Sequence, residues 1–248
     1  MSETDSVYGD VIEQALYNTV LGGMNYEGNR FFYVNPLEVW PDNCMDHTSM
    51  AHVKPVRQKW FDCACCPPNI ARTLASLGEY VYATQENDLW VNLFVGGEAE
   101  ASFGGIPVKA EVETRFPFEG KVKLALTAEK EAKGTIRLRI PSYASEISLS
   151  CDGKTVTAEA GSYAKIPFEG TKKEITLSFV MPPHFVYANP KVRADAGKVA
   201  VKRGPLVYCM EQADNGENLS NLFVDTTVEP VVTYESGLLG GTDVIRLS

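Results

Sequence analysis

Val122-Lys123-Leu124-Ala125-Leu126 and Ile136-Arg137-Leu138-Arg139-Ile140 alternate in period two, the pattern of strands with one buried face and one wet face. The same alternation runs through residues 89–95, 108–112, 147–151, 175–180, 199–201 and 206–209, separated by Gly, Pro and Asp. Eight short strands with no helix between them predict an antiparallel β-sandwich over residues 86–215. Residues 216–248 are weakly patterned, with strand signals at 222–224 and 228–234 that read as the start of a further β segment.

Upstream of residue 86 the period changes. Tyr8, Val11, Ile12, Ala15, Leu16 and Thr19 recur at helical spacing, and Gly22-Gly23 follow as a stop, so an amphipathic helix is expected over 7–20. A second helix is expected from Pro67-Pro68-Asn69 to about residue 83, with Ile70, Leu74, Leu77 and Val81 on one stripe and the prolines in the first turn. Between them lie more than forty residues with one short strand-like run, Phe31-Phe32-Tyr33-Val34, and a polar stretch holding His47 and His52. Two helices and a long loop cannot bury their own apolar faces, so residues 1–85 read as part of a larger helical assembly. The chain as a whole is therefore mixed and mainly β.

Composition sets the outer limits. The 248 residues are 44% hydrophobic and 22% charged, ordinary for a folded protein. The net charge of −9, acidic in both halves, disfavours nucleic acid and anionic lipid as partners. No apolar run approaches a membrane span, and Met1-Ser2-Glu3-Thr4-Asp5 is acidic rather than a basic lead-in to an apolar export segment. A cytoplasmic setting and no membrane partner are the expectation.

Chemistry concentrates in Trp60-Phe61-Asp62-Cys63-Ala64-Cys65-Cys66-Pro67-Pro68-Asn69-Ile70, which places adjacent thiols at a helix N-terminus. Free N–H groups and the positive end of the helix dipole favour the thiolate there, the form that attacks carbon and the form that binds metal. Spacing alone leaves open both that chemistry and a set of buried structural cysteines. Cys44, His47 and His52 are further ligand candidates, each with a simpler reading as a loop residue. Cys151 and Cys209 fall in strand patterns and are expected in the core, and His184, after Pro182-Pro183, is expected to be structural. By default Glu13 is an exposed helix carboxylate and Tyr33 a core aromatic.

Four stretches carry a resemblance: Ala15-Leu16-Tyr17-Asn18, Phe32-Tyr33-Val34-Asn35-Pro36-Leu37, Cys63-Ala64-Cys65-Cys66-Pro67-Pro68-Asn69-Ile70-Ala71-Arg72 and Lys202-Arg203-Gly204-Pro205-Leu206-Val207-Tyr208. Together they resemble glycoside hydrolase family 127, the β-L-arabinofuranosidase type, in its C-terminal portion. The resemblance implies the remnant of an (α/α)6 barrel followed by β-sandwich structure. It also implies retaining hydrolysis of an arabinose-containing oligosaccharide or glycan by a zinc-bound cysteine. Cys65 matches the nucleophile, Cys65 and Cys66 match zinc ligands, and Glu13 and Tyr33 match substrate-pocket residues. The acid/base glutamate, a glutamate and a cysteine of the zinc site and several pocket histidines correspond to positions before Met1. The isolated chain is therefore expected to be inactive and to need an N-terminal portion, with a homo-oligomer as the other conceivable partner. Two other readings are a glycan-binding or structural β-sandwich module using exposed aromatics such as Trp90 or Tyr143, and a zinc-thiolate structural protein.

Overall fold

The computed structural model describes residues 5–45 and 47–248. The reading of the extreme N-terminus falls largely on residues 1–4, outside those described. Helix α1 (Ser6–Gln14) is capped by the Asp5 side chain, which accepts from the Val7 amide, and continues as a π-helical segment, Ala15–Leu21. An irregular stretch with one 3₁₀ turn (Pro41–Cys44) leads to α2 (Cys66–Ala75) and a short α3 (Gly78–Val81). The second helix thus breaks at Ser76-Leu77, earlier than its apolar stripe predicts.

Strands follow in the order β1 (Tyr82–Gln85), β2 (Asp88–Val91), β3 (Gly97–Phe103), β4 (Ile106–Thr114), β5 (Lys121–Ile140), β6 (Ser145–Cys151), β7 (Lys154–Val156) and β8 (Ser162–Val180). They form one eight-stranded sheet ordered β1-β2-β5-β8-β6-β7, with β4 also on β5 and β3 on β4. The two runs quoted first above are a single strand. β8 pairs with both runs, up to Thr127 and again from Ala132, and the residues between them lie in a register shift of the same extended strand.

This length shapes the domain. The N-terminal half of β5 pairs with β4 and its C-terminal half with β2. Both halves send alternate residues, Val122, Leu124 and Leu126, then Ile136, Leu138 and Ile140, into one core with Phe103, Phe168, Leu177 and Phe179. A sheet with a single apolar face must cover that face, and here it folds over itself to do so. The β2–β5 pairing is parallel, a departure from the expected all-antiparallel arrangement.

The remaining strands form β9 (His184–Tyr187), β10 (Val199–Arg203) and β11 (Leu206–Tyr208) in one small sheet, and a hairpin of β12 (Val231–Glu235) and β13 (Thr242–Arg246). Residues 222–224 are not a strand, and β13 has no forerunner in the sequence reading. Among the described residues, no helix is long and apolar enough to cross a membrane.

Candidate functional site

Cys65 caps the N-terminus of α2 and Cys66 is that helix's first residue, with Pro67 and Pro68 in the turn where absent N–H donors cost nothing. The Cys63 and Cys65 sulfurs lie 3.2 Å apart and those of Cys65 and Cys66 3.5 Å apart. Cys65 is exposed, and its neighbours are half-buried. The sequence reading of buried structural cysteines therefore does not describe Cys65.

The aromatic segment before the thiols positions Tyr33. Phe31 bridges Gln58 through paired backbone hydrogen bonds, and Phe61 packs on both Phe31 (5.3 Å between centroids) and Tyr33 (5.7 Å). His52 meets the Tyr33 ring edge-on at 6.4 Å. The partly exposed Tyr33 thus stands in an aromatic patch that leads through Phe61 into the thiol loop. The same segment is tied to the end of the π-helical turn: Phe32 N–H donates to Gly23 O, Asn35 to Thr19 O and Arg57 to Gly22 O.

Glu13 is held by residues of strand β5 of the large sheet and the turn after it. It is 1% exposed, and its carboxylate accepts from the Arg139 guanidinium and the Tyr143 hydroxyl. Arg139, on the outer face of β5 and fully buried under α1, also donates to Asp10 and to the Asn92 carbonyl. Gly9 permits this contact, since a Cβ there would lie 2.5 Å from Arg139 Cδ. Burial pushes the Glu13 carboxyl above the ordinary range; Arg139 and Tyr143 oppose that rise, and Asp10 adds to it. Burial sets the direction, and one guanidinium shared between two carboxylates does not fully offset it. Burial works against the Arg139 charge, but Glu13, Tyr143 and Asp10 more than offset it.

Two of the quoted motifs meet each other. Asn18 Nδ2 donates to the Gln14 and Pro205 carbonyls, both at 2.7 Å, and its Oδ1 accepts from the Val207 amide at 2.8 Å. Lys202 reaches Gln14 Oε1, while Arg203 donates to Asp243 Oδ2 and the Phe118 carbonyl. Gly204 makes the turn with φ of 54°. The 202–208 motif is a junction joining the helical segment, the large sheet and the C-terminal hairpin. Sequence reading singled it out without finding that role.

Other candidates are redistributed. Cys44 is buried and donates to the Trp40 carbonyl. His47 is exposed at a positive φ of 73°. His184 contacts the Pro182 carbonyl at 3.4 Å. Cys151 packs half-buried against the core, but Cys209 is exposed because its strand ends at Tyr208. Trp90 and Tyr143 are not exposed glycan platforms: Trp90 is 7% exposed between Tyr163 and Arg137, and Tyr143 is tied to Glu13.

The spacing of the Cys65 and Cys66 sulfurs fits part of a zinc site. Two thiolates on a tetrahedral zinc with Zn–S near 2.3 Å lie roughly 3.8 Å apart. The Cys65–Cys66 separation is close to that, so the pair suits two of four positions. Among the described residues, no three His, Cys, Asp or Glu side chains converge to complete one.

Three family models match in succession. The β-L-arabinofuranosidase GH127 catalytic domain matches residues 1–79, the GH127 middle domain 88–181 and the glycoside hydrolase family 127 C-terminal domain 183–236. A non-reducing end β-L-arabinofuranosidase from Bifidobacterium longum subsp. longum is 37% identical over 256 residues, covering 99% of this chain and 38% of that protein. The solved structure of a GH127 β-L-arabinofuranosidase from Geobacillus stearothermophilus T6 superposes with a TM-score of 0.89 at 45% identity, over 98% of this chain and 39% of that one. A second solved structure, a GH127 β-arabinofuranosidase, gives a TM-score of 0.83 at 34% identity, again over 98% and 39%. The chain thus spans under two-fifths of the length of these relatives.

Proposed function

The chain belongs to glycoside hydrolase family 127, and from that premise we propose that it supplies the nucleophile-bearing part of a retaining β-L-arabinofuranosidase. In this reading residues 1–85 contribute helices to an (α/α)6 barrel, residues 86–215 form the β-sandwich, and residues 216–248 continue into a further β segment. The observation that carries the proposal is the exposed Cys65 at the start of α2, its sulfur 3.5 Å from that of Cys66, in a loop that begins at Phe61, which packs on Tyr33.

The Cys65 thiolate attacks the anomeric carbon of a β-L-arabinofuranosyl unit. A C–S bond forms as the bond to the leaving oxygen breaks, and that oxygen takes a proton from an acid. Water, deprotonated by the same group, then attacks the anomeric carbon, and the sulfur leaves as thiolate, so configuration is retained. Cys65 and Cys66 would hold zinc, which when bound keeps the thiolate deprotonated and oriented. Tyr33 offers a ring and a hydroxyl to the sugar. Glu13, buried and paired, acts through the placement of α1. The acid/base carboxylate and the remaining zinc donors come from residues outside this chain, and the isolated chain does not turn over.

The test is hydrolysis of an aryl β-L-arabinofuranoside with zinc present. No turnover is expected from the 248-residue chain, and turnover that Cys65→Ser abolishes would overturn the claim of inactivity. In a protein of the relatives' full length containing this chain, Cys65→Ser is expected to remove activity. Retention within tenfold of the parent rate refutes the assignment of the nucleophile.

A further inference from the structure

The shortest sulfur–sulfur approach in the thiol cluster involves Cys63, which the proposed mechanism does not use. Cys63 and Cys65 are separated by one residue, and their sulfurs are 3.2 Å apart, so closing to a disulfide near 2.05 Å needs about 1.1 Å of movement. Residues 61–65 are irregular, Asp62 sits at a φ of 55°, and α2 starts only at Cys66. The alternative pair, Cys65 and Cys66, is more distant at 3.5 Å and adjacent in sequence. Joining it would strain the peptide bond that opens α2 and disturb the turn fixed by Pro67 and Pro68. Cys65 is the exposed member of the trio and so the first to meet an oxidant, with a second thiol already in contact.

We propose that Cys63 and Cys65 form a reversible oxidative modification site, in which a hydroperoxide oxidises Cys65 and Cys63 resolves it to a disulfide. In the first step the Cys65 sulfur takes a hydroxyl from hydrogen peroxide. The O–O bond breaks, sulfur gives up two electrons, and the thiol proton leaves with the second oxygen as water. In the second step the Cys63 sulfur attacks Cys65 Sγ. The S–O bond breaks, an S–S bond forms, and the hydroxide departs as water with the Cys63 proton. A dithiol reductant returns both thiols. The inference rests on sulfur geometry and holds whether or not Cys65 is a glycosidase nucleophile. If it is, the disulfide removes the attacking sulfur and protects it from irreversible oxidation.

The experiment treats the purified reduced chain with hydrogen peroxide, with and without a metal chelator, followed by intact mass measurement and peptide mapping. The chelated sample is expected to lose two of its six free thiols with a mass loss of two hydrogens, a Cys63–Cys65 link and full recovery with dithiothreitol. Cys63→Ser is expected to abolish the link and to leave Cys65 as a dimedone-reactive sulfenic acid or its over-oxidised form. Cys66→Ser and Cys209→Ser are expected to leave the link intact. A Cys65–Cys66 link, a disulfide-linked dimer through Cys209, or oxygen addition to both Cys63 and Cys65 without a disulfide would each overturn the proposal. Circular dichroism of each variant confirms that the loss of the link is not a loss of fold. Arabinofuranoside turnover is scored separately, so a failure of the proposed function does not register as a failure here.

Discussion

Replacing Arg139 by Met tests the electrostatic account of how α1 is held. The substitution keeps an aliphatic stem over Phe94 but removes the one guanidinium serving Asp10, Glu13 and the Asn92 carbonyl. Removing one partner of a buried pair typically costs about 3–5 kcal/mol, because a desolvated charge is left behind. Glu13 can escape that charge by taking up a proton, and its ordinary value is 4.5. At about 1.36 kcal/mol per pH unit, the escape costs no more than roughly 3.4 kcal/mol at pH 7 and roughly 0.7 kcal/mol at pH 5. The lost hydrogen bond to the Asn92 carbonyl adds about 1 kcal/mol. Urea unfolding followed by tryptophan fluorescence should therefore move the midpoint down by about 1–2 M at pH 7, with a slope of about 2–3 kcal/mol per M. The penalty should shrink by more than half near pH 5, and adding Glu13→Gln to the Met variant should recover most of the pH 7 loss. A penalty that stays constant across that range, or a double variant no better than Arg139→Met, refutes the assignment of the cost to a stranded Glu13 charge.

Glu13→Gln in the unaltered background should change the pH dependence of stability. Its folded pKa is raised, so the stabilisation it gives is complete below about pH 4.5 and is lost as pH rises through the folded value; the variant's urea midpoints should lack that downward trend, and parallel curves would count against it. Gly9→Ala should destabilise by about 1–2 kcal/mol although alanine favours helix by about 1 kcal/mol, because the new Cβ meets Arg139 at 2.5 Å and the ion pairs stop it from yielding. In the Arg139→Met background the sign should reverse, and thermal melts of the four proteins decide it. Asn18→Ala should cost about 2–3 kcal/mol by stranding the Pro205 carbonyl and the Val207 amide, and proteolysis should release the 199–208 region first. Unchanged protection there would show that the junction does not depend on Asn18.

The strands were legible because alternation reports a half-buried sheet face directly, and Val122, Leu124, Leu126, Ile136, Leu138 and Ile140 all point into the core. Their continuity was not legible. β8 pairs on both sides of a register shift between Thr127 and Ala132 and so holds the two runs in one strand, a partner set by distant residues rather than by local propensity. The first helix misled in a more instructive way. Its apolar stripe reads as a buried face, yet Tyr8 and Val11 are 66% and 63% exposed, while Ser6, Gly9 and Glu13 are buried and Leu16 is the stripe residue that is buried with them. Periodicity identifies a face but does not name the neighbour, and this helix has two contrasting faces.

The site divides along the same line. Local spacing sufficed for Cys63, Cys65 and Cys66, because three thiols within four residues at a helix start cannot be far apart. It could not suffice for Glu13, whose compensating charge is 126 residues away in the sequence. Arg139 occupies an outward position of an alternating strand, where a solvated arginine is the ordinary expectation. What reverses that expectation is the docking of α1, with Gly9 small enough to lie on the Arg139 side chain and two acids spaced to meet its head. A buried arginine needs partners, a buried glutamate needs a cation, and a glycine on the contacting face removes the obstacle between them. Each is unremarkable alone, and together they specify how the segment carrying Asn18, Tyr33 and the thiols is anchored to the sheet. The thiol cluster is therefore local to the start of α2, whereas the anchoring of the helical segment depends on contacts between residues more than a hundred positions apart.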